Sequence, residues 1–425
     1  MGLFDWLRRL FAGDRADSPS ASSEVRAPSP STRRRARRRK VKLVPLRFGA
    51  SPKPRPPAPT STRPPYRFSR PGIAGGWLDL GGDQDEARLD RLGLPKFQIP
   101  EELARWLEIP AGQLAWLVHR FQDDERAIDE RSSHYVYRWI AKRSGGRRLI
   151  EAPKSKLKRT QQRILDQILS RVPCHRAAHG FVAGRSIVSN ASPHVGKRVI
   201  LKLDLEGFYP SVSFNRVVAI FRSLGYSREA AIWLARLTTT ALPVSLLRES
   251  RSNPELVPYL RRRLPQGAPT SPALANLSTF SLDLRLAGLA RSFGAQYSRY
   301  ADDLTFSGDE RFLRSLAVFI PLAKKIVRGE RFTLNEKKRK VIRNNQRQIV
   351  TGVVVNSRPN ISRRDYDRIK AILTNCVRRG PSTQNHERHG NFAAHLLGRI
   401  AHVNQLNPAR AEKLRALFQQ IDWNR

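Results

Sequence analysis

The chain has 425 residues, 40% of them hydrophobic, enough for a sizeable core and for two or three domains at about 150 residues each. Lys and Arg number 78 against 36 Asp and Glu, a formal charge of +42, which points to a polyanionic partner, most commonly nucleic acid. Two cysteines, Cys174 and Cys376, exclude a disulfide scaffold and fit a reducing, cytoplasmic setting, and no apolar run approaches the ~20 residues of a membrane-spanning helix.

The first predicted element is a short amphipathic helix over 1–13. Leu3, Trp6, Leu7 and Leu10 recur at helical spacing, with Phe4 and Phe11 beside them. Asp5, Arg8 and Arg9 interrupt the apolar stretch, so it does not read as a signal peptide. Such a helix suits packing on its own body, docking on a partner or lying on a membrane surface, and the sequence leaves these open. Residues 14–75 are different material. They hold 12 of the chain's 29 prolines and 16 Lys and Arg against 3 acidic residues. A segment of this kind buries too little apolar surface to offset its ordering entropy, so a disordered basic tail is expected. Eight of the ten residues Arg33–Lys42 are basic, which suits an arm gripping phosphate backbone. The rest of the chain is itself basic.

From about Gly76 the pattern becomes globular. Residues 99–122 predict an amphipathic helix through Leu103, Trp106, Leu107, Leu114, Leu117 and Val118. Tyr135–Ile140 and Arg148–Ala152 predict two strands of a hairpin, with Ser-Gly-Gly in the joining loop. A helix is expected over 155–171. The apolar, β-rich run Arg198–Asp204 predicts a buried strand that delivers Asp204 at its end. Alone, such an aspartate is a cap or turn residue.

Leu264-Pro265-Gln266-Gly267 predicts a tight turn, after which Ser271 caps a helix with Pro272 in its first turn and Leu274, Leu277, Phe280 and Leu284 continue it. Residues 296–308 predict a hairpin centred on Ala301-Asp302-Asp303. An isolated Asp-Asp pair is a solvated acidic turn. Three carboxylates brought together with Asp204 would instead repel unless cations neutralised them, and Mg²⁺ takes such oxygen ligands together with substrate phosphates. After Asn356 a small basic helical region is expected. Ser362 with Asp365 opens its first helix, a second runs from about Asn391 to Val403, and a third opens at Asn407-Pro408. His386 and His389, with His395 and Cys376 nearby, lack a further soft ligand, so no zinc site is expected.

Asp204-x4-Tyr209, Leu264-Pro-Gln-Gly267 and Tyr300-Ala-Asp-Asp303 stand in the order and spacing of reverse transcriptases. His179-Gly-Phe-Val-Ala-Gly-Arg185-Ser-Ile, Asn190-Ala-Ser-Pro-His194 and Val350-Thr351-Gly352 sharpen the resemblance toward bacterial retron reverse transcriptases, over about residues 95–425. The resemblance implies an α+β right-hand polymerase. Its fingers and N-terminal helices would span 76–198, its palm, an antiparallel sheet with helices, 199–357, and its helical, RNA-binding thumb 358–425. By resemblance Asp204, Asp302 and Asp303 bind two Mg²⁺, with the Leu205 carbonyl as a further ligand. Tyr209 falls where the family excludes a ribose 2′-hydroxyl, and Gln266 where it meets the incoming nucleotide. Arg147 and Arg148 would hold the dNTP triphosphate. Lys338, with Lys337 beside it, is a candidate proton donor to leaving pyrophosphate. Asn190, His194, Val350, Thr351 and Gly352 would serve RNA recognition.

The implied function is RNA-directed DNA synthesis on a cognate structured non-coding RNA, primed from an RNA 2′-hydroxyl. The product is branched, RNA-linked single-stranded DNA (msDNA). Its implied setting is anti-phage defence with an effector protein, and a host ribonuclease H trims the RNA. A group II intron-like or diversity-generating reverse transcriptase is the related alternative. A non-catalytic RNA-binding protein on a polymerase scaffold is the alternative of another class, and metal-dependent dNTP incorporation separates it.

Overall fold

The computed structural model describes residues 59–119, 126–142, 145–249 and 253–423, in two compact units. The described part of the smaller unit, residues 59–65 and 69–79, is a three-stranded antiparallel sheet of β1 (Thr60–Ser61), β2 (Arg70–Pro71) and β3 (Trp77–Leu78) in the order β1-β3-β2. The expected amphipathic helix of 1–13, and the tail as far as residue 58, lie outside the described residues. At its C-terminal end the expectation of a structureless tail to residue 75 needs correction. Residues 60–61 and 70–71 are strands, and Tyr66 and Phe68, which belong to the larger unit, are buried there. Phe68 packs on Trp233 at 5.4 Å between ring centroids. Two aromatic anchors outweigh the proline-rich composition around them.

In the larger unit, the predicted helix over 99–122 is two helices, α1 (Pro100–Leu107) and α2 (Ala111–Leu117). Glu108 between them is left-handed, with φ 59°, and Pro110 disfavours helical backbone at the residue before it. The hairpin forms as β4 (Tyr135–Ala141) and β5 (Arg147–Pro153), paired from Tyr135 with Pro153 to Ala141 with Arg147. Helix α3 (Ser155–Gln167) follows and ends in a 3₁₀ turn over Leu169–Arg171, so the predicted helix of 155–171 tightens in its last turn.

A four-stranded antiparallel sheet in the order β7-β8-β6-β9 organises the centre. Strand β6 (Val199–Asp204) is apolar on both faces and buried along its length apart from Lys202, as its sequence predicts. Helices α4 (Phe214–Leu224) and α5 (Arg228–Thr238) pair with each other and share its core. Helix α6 (Ser271–Ser278) is followed at once by α7 (Phe280–Ser292). Two details differ from expectation here. Thr270, not Ser271, is the residue before the first turn, and no side chain caps it. Leu284 is 42% exposed, so the apolar face of α7 runs instead through Leu282 and Leu286.

Strands β7 (Gln296–Tyr300) and β8 (Asp303–Gly308) make the predicted hairpin, and α8 (Glu310–Gly329), capped by Asp309, packs Phe312 and Phe319 on the sheet. Strand β9 (Lys340–Arg343) closes the sheet on the other side of β6. A short hairpin of β10 (Ile349–Val350) and β11 (Val353–Val354) leads to three helices: α9 (Arg363–Arg379), α10 (Phe392–Leu406) and α11 (Pro408–Gln419). Ser362, Asn391 and Asn407 cap them through side-chain oxygens, as the sequence predicts for Ser362 and for the Asn407-Pro408 start. Their apolar faces form a second core, around Leu373, Leu396, Ile400 and Leu414. Among the described residues no helix is long and apolar enough to cross a membrane.

Candidate active site

Antiparallel pairing of β6 with β8 sets Asp204 directly across from Asp303. Asp302 stands in the turn between β7 and β8, and its carbonyl accepts a hydrogen bond from the Leu205 amide at 2.9 Å. The backbone thus brings the three carboxylates predicted from sequence to one end of one sheet, with Leu205 tied to them. Asp204 is 7% exposed. Burial raises the Asp204 carboxyl above the ordinary carboxylate range, an effect opposed by Lys338. Burial first, and the charge of Asp204 second, raise Asp302 in the same way.

Lys338 answers this repulsion. The 3₁₀ turn Glu336–Lys338 is held beside β6 by the Asn335 amide donating to the Asp204 carbonyl at 2.8 Å. From there the Lys338 Nζ reaches both oxygens of Asp204, at 2.9 and 3.1 Å. That bond raises the Lys338 pKa. Of the two lysines at this turn, Lys338 is the one whose ammonium bonds the Asp204 carboxylate. Among the described residues no three carboxylate, imidazole or thiol groups close into a ready metal cage. The donor set nevertheless fits a divalent cation. It is all oxygen and electrostatically strained, and it already attracts a side-chain cation.

Tyr209 follows β6 after a turn and is half-buried against Phe208, with ring centroids 5.5 Å apart. Its hydroxyl is pushed up to about 12 by burial and by the Asp302 charge, and Arg148 opposes this. Tyr209, Asp302 and Arg148 therefore share one electrostatic neighbourhood. The two hairpin arginines part ways. Arg147 is committed to Glu255 at 2.9 Å and lies over the Trp139 ring, whereas Arg148 is exposed and acts on Tyr209. Gln266 is joined to the hairpin through its carbonyl, which accepts from the Glu151 amide at 2.8 Å. Gly267 beside it has φ +135°, and a Cβ there would meet the Glu151 carbonyl oxygen at 3.0 Å. Only glycine fits both constraints.

Two fully buried ion pairs, neither evident from the sequence, hold this arrangement. Glu151 pairs with Arg263 at 2.8 Å, tying β5 to the segment that leads into Leu264-Pro-Gln-Gly267. Arg299 on β7 pairs with Asp283 on α7 at 2.7 Å and also donates to the Asn276 side chain and to the Ala301 carbonyl. Arg299 thus fixes the residue immediately before Asp302. The signal lay in charge at inward positions, an aspartate between Leu282 and Leu286 on an apolar helix face and an arginine two residues before the acidic turn.

The residues expected to recognise RNA need correction in part. His194 is fully buried, with one ring nitrogen bonded to Ser307 Oγ at 2.7 Å and the other to Ser298 Oγ at 2.8 Å. Burial lowers its pKa to about 3. Asn190 is 1% exposed and its amide nitrogen donates to Thr351 Oγ1, while Val350 is fully buried. The side chains of these three are packed inside the fold, where Asn190 and His194 join the β7–β8 hairpin to the segment before the C-terminal helices. Thr351 is half-buried and Gly352 exposed.

Residues 140–361 match the family described as reverse transcriptase (RNA-dependent DNA polymerase). The chain is 44% identical to the retron Mx65 reverse transcriptase of Myxococcus xanthus over 338 residues, covering 78% of this chain and 73% of the relative. It is 35% identical to the retron Mx162 reverse transcriptase of the same organism, covering 81% and 71%, and 31% identical to the retron Ec86 reverse transcriptase of Escherichia coli, covering 67% and 80%. The chain belongs to the retron reverse transcriptases and is an RNA-directed DNA polymerase.

Proposed function

We propose that this retron reverse transcriptase copies part of a cognate structured RNA into msDNA, starting from an RNA 2′-hydroxyl, at a centre built from Asp204, Asp302 and Asp303. The observation that carries the site is the register of β6 and β8, which sets Asp204 across from Asp303 with Asp302 in the adjoining turn. These carboxylates, with the Leu205 carbonyl, would hold two Mg²⁺. Bound there, they would lower the pKa of the attacking hydroxyl and neutralise charge growing on pyrophosphate. The chain's own residues do the rest. Arg148 faces the triphosphate. Tyr209 lies under the sugar and leaves no room for a 2′-hydroxyl on the incoming nucleotide. Gln266, held by β5, meets the nascent base pair. Lys338 holds the charge of Asp204 between turnovers, and its ammonium then has a proton to give to departing pyrophosphate.

In this reading the right hand has fingers over 76–198, a palm over 199–357 and a thumb from 358. The thumb's exposed basic residues, such as Arg378 and Arg379, meet RNA phosphates, and its shape selects the RNA. The reading extends to the cytoplasm, an anti-phage effector partner and a host ribonuclease H acting on the product. The test is expression with the transcribed DNA adjoining the gene, followed by isolation of small DNA. RNase-sensitive branched DNA that disappears with Asp302→Asn supports the proposal, and its absence from an active wild-type enzyme overturns the msDNA assignment.

A further inference from the structure

Phe181 is out of place by two independent measures. The residue is 60% exposed, although phenylalanine is an apolar residue that cores normally absorb. Its backbone sits at φ +59°, the left-handed region that a bulky side chain normally avoids. Strain of this kind persists only where surrounding structure enforces it, and it gathers at functional sites.

The surroundings enforce it heavily. Residue Ala178 bridges Arg299 in parallel, so the segment runs along the outer edge of β7, and the His179 amide donates to the Arg299 carbonyl at 2.8 Å. The Asn276 side chain donates to the Gly180 carbonyl at 2.9 Å. Arg185 donates to the carbonyls of Arg176 and Ala178. A Cβ on Gly180 would lie 2.8 Å from the Ala301 nitrogen, so the loop is pressed against the turn that carries Asp302. The Phe181 ring ends 6.3 Å from the ring of Tyr300.

The position chooses the ligand. In the sheet order β7-β8-β6-β9, Tyr209 follows β6, while the Phe181 loop lies beyond β7. The carboxylates stand between them. If the incoming nucleotide occupies the Tyr209 side, the Phe181 side faces the strand that receives it and that strand's complement. The basic residue of the loop, Arg185, is spent on backbone carbonyls, so Phe181 offers a flat apolar face suited to sugars rather than to phosphates. We propose that Phe181 is a nucleic-acid contact whose ring bears on the sugar faces of the template–product duplex directly behind the reacting end. The contact is independent of sequence and is fixed in position by the same network that fixes Asp302. This inference rests on Asp204, Asp302 and Asp303 being the reacting site.

The test measures binding of the full chain to an RNA–DNA hybrid with a recessed 3′ end, and to single-stranded RNA, by fluorescence anisotropy at salt high enough to suppress nonspecific phosphate binding. Phe181→Ala and Phe181→Gly should weaken hybrid binding about tenfold, and Phe181→Tyr should bind as wild type does. Single-strand binding should be unchanged in all three. Glycine relieves the left-handed strain, so Phe181→Gly should melt at or above the wild-type temperature while still losing hybrid affinity. Wild-type hybrid affinity in the alanine and glycine variants overturns the proposal, as does a loss that accompanies a lowered melting temperature in both. Asp302→Asn run alongside separates the two claims. It should bind the hybrid normally and not extend it, and an active Asp302→Asn variant would remove the site assignment whatever Phe181 does.

Discussion

Arg263 and Arg299, in the sheet region, are buried to within 1% and each faces a buried carboxylate, whereas Arg363, Arg364, Arg368, Arg378 and Arg379, on α9, are exposed. The same side chain serves two kinds of work. In the sheet region it is a planar fork that fixes backbone: Arg299 reaches Asp283, Asn276 and the Ala301 carbonyl at once. Phosphoryl transfer demands this, because its carboxylates must be placed to a fraction of an ångström. On α9 arginine supplies a field, which needs only a sign and a face. The two regions should therefore fail differently, the first through geometry and in large steps, the second through charge and in small ones.

The largest failure should come from the carboxylates. Asp302→Asn with Asp303→Asn keeps size and removes two charges, and should lower DNA synthesis on an RNA template by about 10³-fold or more, ~4 kcal/mol of barrier. Circular dichroism and melting should show a folded protein. Because burial raises the Asp302 pKa, the native state holds that proton more tightly than the unfolded chain, so ionisation lowers stability as pH rises past the ordinary carboxylate range. Asp302→Asn should therefore melt no lower than wild type in a chelator at neutral pH.

Next comes Arg299. Arg299→Met leaves the Asp283 carboxylate buried without a counter-charge, held only by the Tyr297 hydroxyl, for which a loss of about 3–5 kcal/mol is expected in denaturant titration. Arg299→Lys restores the charge without the fork. It should keep most of that stability yet synthesise DNA more slowly than wild type, because the Ala301 carbonyl loses its donor. Equal rates for Arg299→Lys and wild type would show that the fork does not position the turn.

Tyr209→Ala should raise ribonucleotide incorporation relative to deoxyribonucleotide by about tenfold, some 1.4 kcal/mol of selectivity. An unchanged ratio in an active variant returns Tyr209 to the core. His194 should act through pH. Its pKa is lowered to about 3 by burial, so the stability of the neutral, doubly bonded ring is present above about pH 6.5 and is lost as pH falls through that window. His194→Gln should flatten the acid side of the stability–pH curve. The smallest effect belongs to α9, where Arg378→Ala should weaken RNA binding a few-fold and lower the salt slope by about 1.

The same contrast governs what the sequence could tell. Local patterns were legible. The apolar run into Asp204, the hairpin around Ala301-Asp302-Asp303 and the helix start at Ser362 each carry their instruction within a few residues. Partnerships between distant residues were not. Nothing near Arg147 or Arg148 says that Glu255 will occupy the first and leave the second exposed. Polar residues such as Asn190 and His194 look alike whether they will meet RNA or be buried against Thr351, Ser298 and Ser307, because burial is decided by chain segments far away. Glu108 broke a periodic helix through a backbone conformation that hydrophobic spacing does not encode.

In the proposed centre Asp204, Asp302 and Asp303 hold the catalytic cations, and Lys338 holds Asp204 in their absence. Counting bound Mn²⁺ by electron paramagnetic resonance, with primed RNA template and dNTP present, tests it most directly. The wild-type chain should bind two ions, Lys338→Met should bind more tightly without substrate, and Asp302→Asn with Asp303→Asn should lose both ions. Unchanged stoichiometry and affinity in the folded double variant would contradict it.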